Sequence, residues 1–381
     1  MSATQPLKIV INAFSAKLGG GKTYLRNVLA RLPWDTALDI RIFCPDDLPL
    51  PIDPRIRRET VSWPTSNPLL RALWEKIALP QYLAAEKAHI LFCPGGVVAT
   101  KVPSGVKVVT MFRNMIPFDN ELVGAMPWGL MRLRNVILKR VMLKSMAEAD
   151  LTIFISDHAR GVIEALSPIP NPLTIPHGIS DLFREQDTAL PRPHNAPGER
   201  YILYVSRFDV YKHHDNVVEG FAALPPGLRD SYKLIFLGET DLPPFEPVQR
   251  RIAALSLTDR IMIGGAVPYD SLPAWYAHAD AILFASSCEN CPNILLESLG
   301  AGRPVLSSDV MPMPEFGGPG LVYFSPFNPK SITAALAATL GSPERTAAVA
   351  TAARERSSHY DWTITAEKTW NAIVTLAARP N

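Results

Sequence analysis

The sequence predicts an α/β protein of two domains, each a parallel sheet covered by helices in the manner of a Rossmann fold. Short apolar runs alternate with helical patterns along the whole chain, which is typical of parallel strands joined by helical crossovers. The length of 381 residues suits two domains of roughly 100–200 residues each. A polar, proline-bearing stretch without periodicity lies between residues 183 and 200, and we interpret it as the interdomain linker.

Each half of the chain supplies candidate strands whose continuous apolar character is typical of strands buried on both faces. In the first half these are residues 8–12, 39–43, 90–93, 107–111, 151–155 and 173–175. In the second half they are residues 201–205, 233–237, 261–263, 281–284, 304–307 and 320–324. Neither half carries the G-x-G-x-x-G sequence of dinucleotide-binding domains. We expect a first domain at residues 1–185 and a second at residues 198–360.

The composition excludes several classes of protein. The chain is 47% hydrophobic and 19% charged, as globular domains are, and its net charge of +2 gives no general attraction to nucleic acid. No apolar run approaches the ~18 residues of a spanning helix, and the N-terminus leads directly into the first strand, so we expect no signal peptide. Four scattered cysteines indicate a reducing, cytoplasmic compartment.

The stretch from Ser287 to Glu297 is the most informative part of the chain. It follows the predicted strand at residues 281–284, and Pro292 is suited to the first position of the helix that comes next. We expect that helix to continue to residue 301 and to end at Gly302. Glu289 therefore lies on the loop at the carboxyl end of a parallel strand, and Glu297 lies in the first turns of the following helix. Ligands of open α/β sheets bind at this edge.

This stretch resembles the E-x7-E signature of the retaining glycosyltransferases of family 4. The closest variant of that signature is Glu-Gly-x-Pro-Asn-x-Leu-Leu-Glu, from which this chain departs by Asn290 in place of glycine. The resemblance implies the GT-B fold, in which two Rossmann-like domains have parallel sheets facing a central cleft. It also implies that Glu289 and Asn293 contact the donor sugar and that Glu297 accepts hydrogen bonds from the ribose hydroxyls.

The resemblance extends along nearly the whole chain and is densest between residues 201 and 323. In the first half, Ser156 ends a strand as in the family, and His177 replaces the asparagine of its Pro-Asn-Gly turn. Near the C-terminus, Tyr360-Asp361-Trp362 is similar to the start of the family's last helix, which crosses back onto the first domain. We therefore expect a helix at about residues 361–378 that packs on the first domain.

Arg207 and Lys212 follow the first strand of the second half and are our candidates for holding a diphosphate. Glycosyl transfer leaves negative charge on the diphosphate, and fixed cations stabilise that charge most in the transition state. Arginine can engage phosphate oxygens with two parallel hydrogen bonds, and lysine adds a point charge. The pair matches the family's Arg-x4-Lys pattern, in which glycine usually follows the lysine; here His213 follows. For either cation alone, an ordinary surface position is the simpler interpretation.

We predict that catalysis needs no metal and no cofactor. The chain contains no Asp-x-Asp pair, which the other glycosyltransferase class uses to hold a divalent cation. Cys288 and Cys291 have the spacing of half a zinc or redox site, but no second Cys-x-x-Cys or suitably spaced histidine pair completes it.

The resemblance also implies further donor contacts and an acceptor side. Gly20 and Gly21 belong to a glycine-rich loop after the first strand, where backbone can approach donor phosphates or acceptor. A phosphate-binding P-loop is disfavoured there because Ala16 occupies the place of its first glycine. The remaining candidates for donor binding are Ser206, Gly265, Val267, Ile294, Leu295 and Glu315. The candidates for acceptor binding are Arg113, Asn114 and Lys22.

Arg113 stands where many relatives place a histidine, and arginine cannot act as a general base at neutral pH. It suits an anionic acceptor, such as a lipid diphosphate or an acidic sugar. Residues 126–146 predict a basic amphipathic helix that either rests on an anionic membrane at its inner face or covers the sheet.

We therefore expect a retaining glycosyltransferase that moves a hexosyl unit from a nucleotide-diphosphate sugar to a glycan or lipid-linked glycan. Three alternatives stay open from the sequence. They are a sugar-nucleotide epimerase or hydrolase of the same architecture, a P-loop kinase or NTPase, and a non-catalytic, membrane-associated protein that binds nucleotide sugars.

Overall fold

The computed structural model describes residues 5–16, 19–63, 67–184 and 190–380. These form two compact units. The first contains the described residues up to Gly178 together with those from Trp362 onward, and the second is Ile179–Asp361. The first unit ends before the predicted boundary at residue 185. The stretch from residue 190 to residue 200, which we interpreted as linker, belongs to the second unit.

The first unit is built on a parallel sheet of seven strands in the order β3-β2-β1-β4-β5-β6-β7. Because β1 pairs with β2 on one side and β4 on the other, the strand order reverses between β1 and β4. The strands are β1 Leu7–Asn12, β2 Leu38–Phe43, β3 Ile56–Arg58, β4 Ile90–Cys93, β5 Lys107–Phe112, β6 Leu151–Phe154 and β7 Pro172–Thr174.

Five helices of the first unit come before residue 178, and their ends follow ordinary capping chemistry. The Asn67 side chain, for example, accepts hydrogen bonds from the N–H groups of Leu69 and Leu70, and Pro68 stands in the first helical turn. The helices are α1 Gly19–Leu29, α2 Pro68–Ala85, α3 Asn120–Ala125, α4 Leu130–Glu148 and α5 Asp157–Glu164, with a 3₁₀ turn at Ile116–Phe118.

The second unit is built on a parallel sheet of six strands in the order β10-β9-β8-β11-β12-β13. Here the strand order reverses between β8 and β11, which are hydrogen-bonded neighbours. The strands are β8 Tyr201–Val205, β9 Lys233–Leu237, β10 Ile261–Gly265, β11 Ala281–Phe284, β12 Val305–Ser308 and β13 Val322–Phe324. The helices are α6 His214–Ala222, α7 Pro226–Arg229, α8 Phe245–Ala254, α9 Leu272–Ala277, α10 Asn293–Gly300, α11 Met313–Gly317, α12 Pro329–Leu340 and α13 Pro343–Ser357, with 3₁₀ turns at Asp181–Phe183, Val210–Lys212 and Tyr269–Ser271.

The last helix, α14 Trp362–Ala378, packs on α1 in the first unit. The buried Trp370 donates from Nε1 to the Val28 carbonyl at 2.9 Å, and the Tyr24 and Thr369 hydroxyls lie 3.3 Å apart. The C-terminal segment therefore contributes core side chains to the unit in which the chain begins.

The predicted fold, two α/β domains with parallel sheets, is confirmed. All twelve predicted strands are present, with ends that differ by at most two residues. The strand that we did not predict, β3, has the sequence Ile-Arg-Arg, lies at the edge of its sheet and carries only one apolar side chain.

We predict that Trp370→Ala destabilises the protein by about 3–5 kcal/mol, because it removes a large buried ring and its hydrogen bond to the Val28 carbonyl. Urea unfolding of the full chain, followed by circular dichroism, measures the change. Trp34→Ala is the matched control, since the Trp34 side chain is 92% exposed and should change stability by less than ~0.5 kcal/mol. Equal effects of the two substitutions would contradict the packing described for α14.

Candidate functional site

Two loops at the reversal point of the second sheet carry the charged residues singled out in the sequence. One follows β8 and contains Arg207 and Lys212; the other follows β11 and contains Glu289. Because β8 and β11 are parallel neighbours, both loops leave from the same edge of the sheet. The loops are tied together, since the Ser287 N–H donates to the Tyr211 carbonyl at 2.9 Å.

The buried Lys212 and the half-buried Glu289 form an ion pair between these loops. Lys212 is only 5% exposed, and its Nζ donates to Oε1 of Glu289. The same oxygen accepts a hydrogen bond from the Ser286 hydroxyl at 2.7 Å. The ammonium also lies 5.2 Å from the centre of the Phe284 ring. A charge taken out of water needs such partners, so the pair holds both side chains in defined positions.

Arg207 lies on the same loop as Lys212 but is more exposed. Its Nε is 4.0 Å from Oδ2 of Asp209, at the limit of an ion pair. Ser206, which precedes it, is buried, and its backbone N–H donates to the Leu237 carbonyl at 2.7 Å. The structure thus brings Lys212 and Glu289 into contact and leaves the Arg207 guanidinium near solvent.

The residue after Lys212 adopts a conformation that explains the glycine common at this position in the family. His213 has φ 48° and ψ 38°, in the left-handed region that glycine enters without steric cost. Its Nε2 lies 2.8 Å from the Ser287 hydroxyl, which adds a side-chain link between the two loops. Burial lowers the pKa of His213.

Glu297 is buried in α10, where the Tyr269 hydroxyl donates to its Oε1 at 2.8 Å. Burial raises the pKa of Glu297 to about 7, and the hydrogen bond from Tyr269 opposes part of that shift. With a pKa of about 7, the charge of Glu297 near neutral pH depends on the hydrogen bonds that the carboxyl group accepts.

Helix α10 begins at Asn293, one residue after the predicted start, because Pro292 has non-helical backbone angles. The first N–H groups of this helix have no acceptor within it, and its dipole is positive at this end. Leu295 is fully buried in the core, so only its backbone is suited to binding a ligand. Beyond the helix, Gly302 has φ +62° and ends it as the sequence indicates.

The structure gives the positions of three further candidates for donor binding. Gly265 ends β10, which extends beyond the predicted residue 263 through a register shift between Ile263 and Gly265. Val267 follows the strand. Glu315 lies in α11, and its carbonyl accepts a hydrogen bond from Arg356.

In the first unit, the predicted glycine loop proved to be helical where it is described. Gly20 and Gly21 lie in the first turn of α1, while residues 17 and 18 are outside the described residues. A Cβ atom at Gly21 would lie 3.3 Å from Nη1 of Arg113, so glycine allows that guanidinium to approach. Lys22 pairs with Asp47 at 2.5 Å on the surface.

The first unit also contains a cavity of about 860 Å³ that the sequence did not indicate. Asn114, a candidate for acceptor binding, lines it, and its Oδ1 accepts the N–H of Ile116 at 3.2 Å. Asn12, Arg71 and Glu75 also line it. The one feature of the sequence that could have indicated this cavity was Asn12, a polar residue that ends an otherwise apolar strand.

Within the described part of the chain, no group of three or more histidine, cysteine, aspartate or glutamate side chains is arranged to hold a metal ion. In the same residues, no helix combines the length and apolar content needed to cross a membrane.

We predict that Glu297→Gln reduces the dependence of stability on pH. The pKa of Glu297 in the folded protein lies above its ordinary value of 4.5, so folding favours the protonated form. The stabilising contribution is therefore complete below about pH 4.5 and is lost as the pH rises through about 7. Melting temperatures measured between about pH 5 and pH 8 should fall less in the variant than in the natural chain. Glu246→Gln, at an exposed glutamate, should behave as the natural chain, and identical pH profiles for all three proteins would contradict the assignment.

Comparison with known proteins assigns families to both parts of the chain. Residues 186–356 match the family model described as "Glycosyl transferases group 1", and residues 18–181 match "Glycosyltransferase Family 4". The alpha-D-kanosaminyltransferase of Streptomyces kanamyceticus is 25% identical over 225 residues, which are 56% of this chain and 57% of that protein. The matches span about half the length of the curated relatives.

Solved structures are similar over almost the full chain. The sucrose-phosphate synthase of Thermosynechococcus elongatus superimposes with a TM-score of 0.74 at 18% identity, over 98% of this chain and 99% of that one. Anabaena HepE in complex with UDP and glucose gives a TM-score of 0.71 at 15% identity, over 97% of this chain and 100% of that one. With both parts matching glycosyltransferase models and the fold shared with such enzymes, the chain belongs to the group 1 glycosyltransferases of GT-B fold.

Proposed function

We propose that the protein is a retaining glycosyltransferase that moves a hexosyl unit from a nucleotide-diphosphate sugar to a glycan or lipid-linked glycan. Its role would be in polysaccharide or glycolipid assembly. The observation that carries the proposal is the ion pair of Glu289 with the buried Lys212, whose loop also contains Arg207, at the reversal point of the second sheet. The UDP and glucose bound to Anabaena HepE, which has the same fold, support a nucleotide-sugar donor.

In this proposal, the donor diphosphate binds at the two cations and at the N-terminus of α10. As the bond between the anomeric carbon and the phosphate oxygen breaks, its electron pair leaves with the diphosphate. Arg207 and Lys212 then stabilise the growing negative charge. Because Glu289 fixes the Lys212 ammonium before the donor arrives, little reorganisation is needed during the reaction.

The two glutamates bind other parts of the donor. Glu297 accepts hydrogen bonds from the ribose hydroxyls, which favours its ionised form and offsets the effect of burial on its pKa. Glu289 and Asn293 face the sugar. We propose that Ser206, Gly265, Val267, Ile294, Leu295 and Glu315 complete the donor pocket, and that Gly20 and Gly21 approach the donor phosphates or the acceptor.

Retention can proceed through a carboxylate nucleophile or by entry of the acceptor on the face that the diphosphate leaves. The hydrogen bonds of Glu289 favour the second route. Its Oε1 already accepts from Lys212 and Ser286, and both donors reduce the nucleophilicity of a carboxylate. We therefore propose that Glu289 positions the sugar and stabilises positive charge at the anomeric carbon. The acceptor hydroxyl enters on the face that the diphosphate leaves, forms the new bond to the anomeric carbon and gives its proton to the departing phosphate oxygen, which preserves the configuration.

We further propose that Arg113, Asn114 and Lys22 contribute to acceptor binding and that α4 rests on an anionic membrane, at its inner face in the cytoplasm. Just before α4, Trp128 is exposed, and the Arg132 guanidinium stacks 4.0 Å over the Trp128 ring. Exposed aromatic and basic side chains together suit a membrane interface.

We predict that Arg207→Ala lowers kcat roughly 100-fold without lowering thermal stability, because an exposed cation that stabilises the leaving group is lost. The assay is a screen of GDP-, UDP-, ADP- and dTDP-sugars for transfer to added glycans and glycolipids. Arg250→Ala, at an arginine that is 73% exposed elsewhere in the second unit, should retain activity. Donor breakdown without transfer would instead support a hydrolase or epimerase. Donor binding without any turnover would support a non-catalytic binding protein.

Treatment with EDTA should leave the transfer rate unchanged, since Arg207 and Lys212 supply the neutralisation that a divalent cation supplies in other glycosyltransferases. The rate is measured before and after dialysis against the chelator, and again after adding Mg²⁺ or Mn²⁺. Loss of activity that returns with either ion would contradict metal-independent catalysis.

A further inference from the structure

The cavity of the first unit lies where that sheet is most suited to bind a ligand. Asn12 ends β1 and Gly95 follows β4, and both line the cavity at the point where the strand order reverses. Its other walls come from α2 and α4. A volume of about 860 Å³ is within the range of pockets that enclose small molecules.

The polar part of the cavity contains a buried hydrogen-bond acceptor, Oδ1 of Asn12, that lacks a donor among the described residues. Asn12 is 6% exposed and Glu75 is 7% exposed, and Nδ2 of Asn12 donates to Oε1 of Glu75 at 2.9 Å. Oδ1 of Asn12 is buried and has no hydrogen-bond partner among the described residues. Burial also raises the pKa of Glu75. Buried acceptors of this kind are costly unless a ligand supplies hydroxyl donors.

The α4 wall of the cavity is apolar although it is open to solvent. Leu130, Leu133, Ile137 and Val141 follow one another at helical spacing, line the cavity and are 38–87% exposed. Such a continuous apolar stripe is unfavourable in water and favours an apolar ligand.

Cations surround the same cavity. Arg71, Lys76 and Arg134 line it, whereas Glu75 is the one acidic residue among the lining side chains of the described chain. Arg71 lies 3.9 Å from Glu75, so its charge is partly balanced by that carboxyl group. The remaining positive charge favours an anionic ligand.

We propose that this cavity binds the acceptor of the reaction as an anionic amphiphile, a hydroxylated phosphate-bearing headgroup carried on a hydrocarbon chain. The headgroup hydroxyls donate to Asn12 and Glu75, the phosphate binds the three cations, and the chain lies along the α4 stripe. This inference rests on the proposed transferase function and narrows its acceptor to a lipid-linked one. A water-soluble oligosaccharide would use the polar part and leave the stripe exposed.

The test compares two double substitutions on α4. Leu133→Ser with Ile137→Ser removes two apolar side chains that line the cavity. Met131→Ser with Val136→Ser removes two exposed apolar side chains of the same helix that do not line it. All four side chains are exposed, so both proteins should fold, and their melting temperatures check this. The probe is farnesyl phosphate below its micelle-forming concentration, titrated into the full-length protein and followed by calorimetry. Inorganic phosphate is the second probe, which lacks the hydrocarbon chain.

We expect farnesyl phosphate to bind roughly tenfold more weakly to the cavity double variant, and with unchanged affinity to the other one. Inorganic phosphate should bind far more weakly to every protein. An equal loss of affinity for farnesyl phosphate in both double variants would indicate adsorption to the surface of α4 and would overturn the inference. Unchanged affinity in both would overturn it as well. Equal affinity for farnesyl phosphate and inorganic phosphate would exclude a role for the hydrocarbon chain of the ligand and would overturn the inference. Thermal stabilisation by nucleotide sugars is measured in parallel and tests the proposed function separately. If no donor raised the melting temperature, that result would count against the donor site and not against the cavity.

Discussion

Lys212 is buried, and its ammonium contacts the Glu289 carboxylate and lies 5.2 Å from the centre of the Phe284 ring. The two side chains come from loops 77 residues apart, so the pair forms only when β8 and β11 are neighbours in register. The backbone bond from Ser287 to Tyr211 and the side-chain contact between His213 and Ser287 hold the loops at that distance. The donor-site arrangement proposed for the second unit depends on this one contact.

Both sheets follow the same construction. Strands buried on both faces are apolar along their length, and polar side chains appear where each strand ends. Asn12 marks this point after β1, as Ser206 does after β8 and Ser286 after β11. At the reversal of strand order the helices on either side diverge, so the polar ends are accessible to a ligand. In this way each unit has polar side chains at one edge of its sheet.

The sequence was sufficient for the strands and for the loops on which Lys212 and Glu289 lie, because apolar runs and a motif at a strand end are local signals. It did not predict the ion pair between the two side chains. It was insufficient for β3, whose two arginines hide an edge strand, and for the helical state of Gly20 and Gly21, where helix propensity is low. The cavity of the first unit was missed for a different reason. Asn12 and Glu75 are 63 residues apart, and which face of α4 stays exposed depends on its packing against the rest of the unit. The domain boundaries and the roles of individual site residues are still predictions.

The left-handed backbone of His213 has a mechanical consequence for the loop that carries the lysine. A residue with a side chain is strained in this region by roughly 1–2 kcal/mol, and the hydroxyl of Ser287 helps to retain it there. If that contact opened, rotation of the backbone toward the right-handed region would relieve this strain and lower its free energy. The rotation would swing the preceding ammonium away from its carboxylate. The imidazole thus makes the geometry of one loop conditional on the presence of the other, a coupling that a glycine at this place would lack.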